Sequence, residues 1–303
     1  MFNFEGKTVL ITGASYGLGE QFAYSFAEAG ADLILTARSE DLLQNVAETC
    51  REKGSKVTAV TGDVSIEEDV KNVVSTGIEE HGRIDVLVNN AGIADMRGVA
   101  PEHFDSETFN QIVSVDLVGA FYYARECGRH MLENGSGSIV NIGSILGSGG
   151  SENGVIAYSA AKGGLRNMTL QLGTEWADRG VRVNAVSPGF IVTEMTRVAL
   201  EAMGIDKWIA SRTPMRRVGE SQEVTNAVMF LASDLASYIT GVDLLVDGGT
   251  NAINGSFQIP PIHHEWNVDT PMIPTSYEPV QPRPDWYQAL EAGVPGVHYP
   301  LPE

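Results

Sequence analysis

A strand, a glycine-rich turn and a helix follow one another at the start of the chain, and this succession restricts the architecture most. Lys7-Thr-Val-Leu-Ile-Thr-Gly-Ala14 reads as a short buried strand rich in β-branched residues. It runs into Thr12-Gly13-Ala-Ser-Tyr-Gly17-Leu-Gly19 and then a helical stretch to about Ala29. Glycines at such a turn let backbone N–H groups approach a pyrophosphate at the helix N-terminus, although a strand-to-helix turn also needs glycine for purely steric reasons. The spacing is G-x-x-x-G-x-G, not the commoner G-x-G-x-x-G. Strand and helix signals keep alternating to about residue 250, which predicts one doubly wound α/β domain with a parallel sheet flanked by helices.

A second feature carries chemistry. Tyr158 and Lys162 stand four residues apart in Ala157-Tyr-Ser-Ala-Ala-Lys162, and Ser144 closes an apolar run upstream. Positions i and i+4 share a helix face, so phenol and ammonium are presented together. Acid–base work near neutrality needs the phenol pKa of about 10 lowered by about two to three units, and a neighbouring cation acts in that direction. Alone, Y-x-x-x-K is more often a surface pair on an amphipathic helix; here it coincides with the glycine loop.

Together these motifs resemble the short-chain dehydrogenase/reductase family over residues 5 to about 250. Further landmarks fall in the family's order. Asp63-Val64 follows the third predicted strand, Asn89-Asn-Ala-Gly92 ends the fourth, and Pro188-Gly189 ends the sixth, with Ile191-Val-Thr193 behind it. Gly241 to Gly249 resembles the last strand. The resemblance implies a single Rossmann-type sheet of about seven strands and an enzyme interconverting a secondary alcohol and a ketone. Tyr158 would be the acid–base residue. Lys162 would lower its pKa and hold the nicotinamide ribose, while Ser144 would orient the substrate oxygen. Cofactor contacts are expected from Gly13, Ser15, Tyr16, Gly17, Leu18, Gly19, Arg38, Asp63, Val64, Asn90, Ala91, Gly92, Tyr158, Lys162, Pro188, Gly189, Ile191 and Thr193. One position departs from the pattern. The family's fourth catalytic residue is usually Asn, and Val115-Asp116-Leu-Val-Gly-Ala-Phe121 carries Asp116 there. Asp is nearly isosteric but adds charge and loses two donors. The departure and the long C-terminus leave a cofactor-sensing regulator without turnover as the rival from another class.

NAD-binding members usually place an acid after the second strand. Ala37 stands at that place and Arg38 follows, so NADP is expected over NAD, the alternative, with Arg38 on the 2′-phosphate. The alternative for Arg38 is an ordinary exposed arginine before a helix that Ser39 caps. The segment 190–218 is the expected substrate lid, and its Arg197, Lys207, Arg212, Arg216 and Arg217 would suit an anionic or polyhydroxy substrate, or form a solvated face. Gluconate- and polyol-oxidising members carry similar motif variants; a 3-oxoacyl-type carbonyl reductase is the alternative.

Charge narrows the partners. With 39 acidic and 20 basic residues the net charge is −19, which argues against nucleic acid or an anionic membrane. Cys50 and Cys127 suggest a reduced compartment without a disulfide framework. The start Met1-Phe-Asn-Phe-Glu-Gly-Lys7 leads directly into the first strand, so a cytoplasmic protein is expected. Residues 1–252 are read as the catalytic domain and 253–303 as an extension holding ten of the thirteen prolines, several aromatics and no lysine. An ordered, extended C-terminal arm reaching a neighbouring subunit of a homotetramer or homodimer is expected. No metal is expected at His263-His264-Glu265, because adjacent residues of an extended segment point opposite ways.

Overall fold

Val9 and Ile11 of β1 (Thr8–Thr12) pack into one apolar layer and Leu10 into another, as the two-residue period of a strand requires. All three are completely buried, so this strand is covered on both sides. The computed structural model describes residues 2–95, 99–150, 154–192 and 205–252. The seven strands of its main sheet run in the order β3-β2-β1-β4-β5-β6-β9, every pair parallel. They are β1, β2 (Asp32–Ala37), β3 (Val57–Thr61), β4 (Val86–Asn89), β5 (Gly137–Ile142), β6 (Val181–Pro188) and β9 (Asp243–Val246). This is the doubly wound sheet expected from the alternation of elements. A separate parallel pair joins β7 (Ile191–Val192) to β8 (Gly219–Glu220).

The helices divide between the two faces. Phe22 and Phe26 of α1 (Gly17–Glu28), Leu43, Val46 and Cys50 of α2 (Glu40–Glu52), and Val224 and Val228 of α8 (Ser221–Ala232) join the layer of Val9 and Ile11. Val70, Val73 and Val74 of α3 (Glu67–His81) and Tyr123, Cys127 and Met131 of α5 (Ala120–Glu133) join the layer of Leu10. Close packing sets Gly77 in α3, where a Cβ would stand 2.5 Å from Ile34 Cδ1. Helix α4 (Ser106–Val113) runs into α5 through a π-helical turn at Ser114–Gly119, and α6 (Ile156–Glu175) follows β5. Helix α7 (Ile205–Arg212) precedes β8.

A chain of buried polar groups ties α6 to the sheet. Asn89 Nδ2 donates to Asn141 Oδ1 at 2.9 Å, Asn141 Nδ2 to Thr169 Oγ1 at 2.9 Å, and Thr169 Oγ1 to the Leu165 carbonyl at 2.8 Å. In a low-dielectric interior such linked hydrogen bonds are strengthened, although Asn89 Oδ1 itself is buried without a partner. No helix among the described residues is long and apolar enough to cross a membrane. The expected C-terminal arm, including His263-His264-Glu265, lies outside the described residues, as do Thr193 and Arg197.

Candidate active site

After β1 the chain crosses to one face of the sheet, and after β4 to the other. The crevice left between them, beyond the carboxyl ends of the two strands, is where a doubly wound sheet takes a ligand. A cleft of about 400 Å³ opens there, lined by Gly13, Ser15, Tyr16, Gly17, Leu18, Arg38, Asp63, Val64, Asn90, Ala91 and Gly92 of the sequence-predicted set. Ala37, Ser39, Gly62, Ile93 and Val115 complete it without having been singled out as contacts. Their one shared signal is position: most flank a strand end that the motifs had already marked.

The glycine loop is held from below. Thr12 Oγ1 accepts the Asn90 and Ala91 backbone N–H groups, each at 3.0 Å. Asn90 Nδ2 donates to the carbonyls of Thr12 at 2.9 Å and Gly13 at 3.1 Å. Gly13 and Gly17 have φ of 63° and 64°, which a side chain disfavours. At Gly19 a Cβ would meet the Gly13 carbonyl oxygen at 2.2 Å. Gly19 therefore packs beneath the loop and does not line the cleft, in contrast to its expected contact role. Tyr16 occupies the N-cap of α1 without a side-chain cap, so the first turn offers backbone N–H groups to the cleft. Ser39 likewise holds the N-cap of α2, but its side chain makes no capping bond, contrary to expectation.

Tyr158 and Lys162 both lie on α6, and Lys162 Nζ is 5.5 Å from the Tyr158 ring centroid. Ser144 sits past the end of β5 and is buried, its Oγ accepting the Leu146 N–H at 3.1 Å. The short 3-10 turn Ile145–Gly147 that follows rests on α6: a Cβ on Gly147 would come within 2.7 Å of the Lys162 carbonyl oxygen. That contact brings the Ser144 segment to the helix of the other two residues. Lys162 is buried, and its Nζ donates to the Ile142 carbonyl at 3.0 Å. It also stands 3.2 Å from Asp116 Oδ2. Asp116 belongs to the π-helical turn, and its Oδ1 accepts the Ile93 N–H at 2.8 Å. Burial holds the Asp116 carboxyl above the usual carboxylate range, against the opposing pull of the Lys162 ammonium and the Ile93 N–H.

Ser144, Tyr158, Lys162, Pro188, Gly189 and Ile191 fall outside the lining of this cleft, which Lys162 approaches behind Gly92. Phe190 and Ile191 line a second one of about 420 Å³, with Thr213, Met215 and the Asp247–Gly249 turn. The expected cationic cluster of the lid is already partly engaged. Arg217 forks onto Glu223 at 2.7 and 2.6 Å, and Arg216 donates to the Ser211 carbonyl. Among the described residues no cluster of histidine, cysteine and carboxylate groups forms a metal site.

A family model described as Enoyl-(Acyl carrier protein) reductase matches residues 13–251. The chain belongs to the short-chain dehydrogenase/reductase family. It is 40% identical over 256 residues to glucose 1-dehydrogenase of Gluconobacter oxydans (strain 621H), covering 84% of this chain and 95% of that one. To the 3-oxoacyl-(acyl-carrier-protein) reductase of Escherichia coli (strain K12) it is 40% identical over 248 residues, 82% of this chain and 98% of the other. A solved gluconate 5-dehydrogenase from Burkholderia cenocepacia J2315, in complex with NADP and tartrate, superposes with a TM-score of 0.77 at 32% identity, covering 83% of this chain and 97% of that one. The protein is thus an oxidoreductase of the alcohol/carbonyl class in a family that binds a nicotinamide cofactor.

Proposed function

We propose that this oxidoreductase interconverts a secondary alcohol and a ketone on a polyhydroxy substrate, a sugar acid or polyol, with NADP as the preferred cofactor. The observation that carries the reading is the joining of Ser144, Tyr158 and Lys162 around α6 beside a cleft at the switch point of the sheet. The names of the glucose and gluconate dehydrogenases among its relatives support the substrate class.

The cleft fits a dinucleotide. Gly13 and Gly17 bring backbone without a side chain to its lining, the uncapped start of α1 would hold a pyrophosphate, and exposed Arg38 offers a fork to a 2′-phosphate. The bound nicotinamide would supply the hydride chemistry. The protein's own residues supply the rest. Tyr158 gives a proton to, or takes one from, the substrate oxygen, Lys162 favours the phenolate, and the Ser144 O–H orients that oxygen.

A panel of sugar acids, polyols, aldehydes, diketones and β-ketoesters, followed at the nicotinamide absorbance with NAD and NADP, tests the substrate class. Tyr158→Phe is expected to lower kcat by at least about 10²-fold with cofactor affinity changed little. Full activity in that variant would end the acid–base assignment. Turnover of β-ketoesters alone would favour the reductase reading, which the similarity to the Escherichia coli enzyme supports.

A further inference from the structure

Two opposite charges are buried together behind Gly92 of the cleft wall. The Asp116 side chain has 0% exposure and that of Lys162 4%. The pair is built from three directions. The π-helical turn brings Asp116 inward, the Ile93 N–H anchors Oδ1 at 2.8 Å, and the Ile142 carbonyl takes one Lys162 N–H at 3.0 Å. Gly92 lets the charges meet under the chain: a Cβ there would stand 2.8 Å from Asp116 Oδ2 and 3.3 Å from Lys162 Nζ. Oδ2 is buried with no hydrogen bond of its own, so the ammonium 3.2 Å away is what it faces.

We propose that Asp116 is a positioning residue that compensates the charge of Lys162 and so raises the proton affinity of Tyr158. The proposal rests on the reading of Tyr158 as the acid–base group. Lys162 lies 5.5 Å from the Tyr158 ring centroid and favours the phenolate as a cation. With a carboxylate at its side the pair acts as a dipole, whose field falls off faster with distance than that of a lone charge. Oxidation of an alcohol needs the phenolate, so the acid limb of the reaction moves to higher pH. The groups that face Asp116 are the Ile93 N–H from the segment after β4 and Lys162 from α6, with Tyr158 beyond it on the same helix. Through Lys162 the Ile142 carbonyl from β5 belongs to the set. Neither backbone group titrates, so among these groups the carboxylate and ammonium carry the charge.

The test does not depend on a known substrate. Near-ultraviolet titration of tyrosinate in the full chain, Asp116→Asn, Tyr158→Phe and the double variant isolates Tyr158 by difference in each background. Its pKa is expected to be about one unit lower in Asp116→Asn. Where a substrate is available, the acid limb of kcat should shift by the same amount while KM changes less than about threefold. A Tyr158 pKa that is unchanged, or higher in the variant, overturns the proposal. Should Asp116→Asn fail to fold, as judged by its melting curve, Asp116→Ser removes the charge and keeps an acceptor near Ile93. Failure of the functional reading would show separately, as turnover surviving Tyr158→Phe.

Discussion

At the end of β2, Ala37 is buried and Arg38 exposed, so this strand end brings a guanidinium and no carboxylate to the cleft. A carboxylate at this place would repel a 2′-phosphate and accept ribose hydroxyls instead. Ala37→Asp is therefore expected to move the NADP/NAD ratio of kcat/KM toward NAD by at least about tenfold. Arg38→Ala should weaken NADP more than NAD, because a phosphate fork is lost. Wild-type protein that used NAD at least about tenfold better would refute the role given to Arg38. At this scale i,i+4 spacing put Tyr158 and Lys162 on one helix face, their coincidence with the glycine loop singled them out, and the structure puts Lys162 beside the Tyr158 ring. The ion pair of Asp116 and Lys162 was not legible. The two are 46 positions apart, and only the packing of the π-helical turn on α6 brings them within 3.2 Å.

Among the elements, α8 starts on a capping box. Glu223 accepts the Glu220 N–H at 2.9 Å and takes both arms of Arg217, and these contacts hold its pKa down to about 2. The folded value lies below the unfolded one of about 4.3, so the stabilisation is complete above that value and is lost as pH falls toward the folded one. Exposed pairs contribute little, and Glu223→Gln should lower Tm by no more than about 2–4 °C at neutral pH. Thermal melts across pH are expected to show that gap constant above about pH 5 and closing between about 4 and 2. A gap that persisted to the acid end would assign the effect to packing. Helices such as α8 follow from apolar periodicity. The π-helical turn does not: it adds one residue to a turn without changing the kinds of residue that occupy it. Ser39 shows the converse, a residue type suited to capping whose side chain makes no capping bond.

Over the whole molecule, the sheet separates two apolar layers, and each holds one cysteine. Cys50 and Cys127 are fully buried, in the α1/α2/α8 layer and the α3/α5 layer respectively. Burial pushes the Cys50 thiol up to about 11 and raises that of Cys127 as well. A thiolate-directed reagent thus needs the layers to open. At pH 7.5 both cysteines are expected to react at least about a hundredfold more slowly in the native protein than in denaturant. Rapid native labelling of one cysteine would mark its layer as locally open.

The sequence by itself determined the alternation of strands and helices, the glycine turn and the shared helix of Tyr158 and Lys162, because each rests on local spacing, whereas Ser144 was joined to that pair only by the family resemblance. Backbone period and side-chain type act over a few residues and leave their trace in the chain. The tertiary structure alone decided that Gly19 supports the loop from beneath, that Asn89, Asn141 and Thr169 link α6 to the sheet, and that a buried carboxylate stands against Lys162. Those outcomes depend on which atoms from distant segments come within about 3 Å of each other, and burial then gives such contacts their strength by removing water.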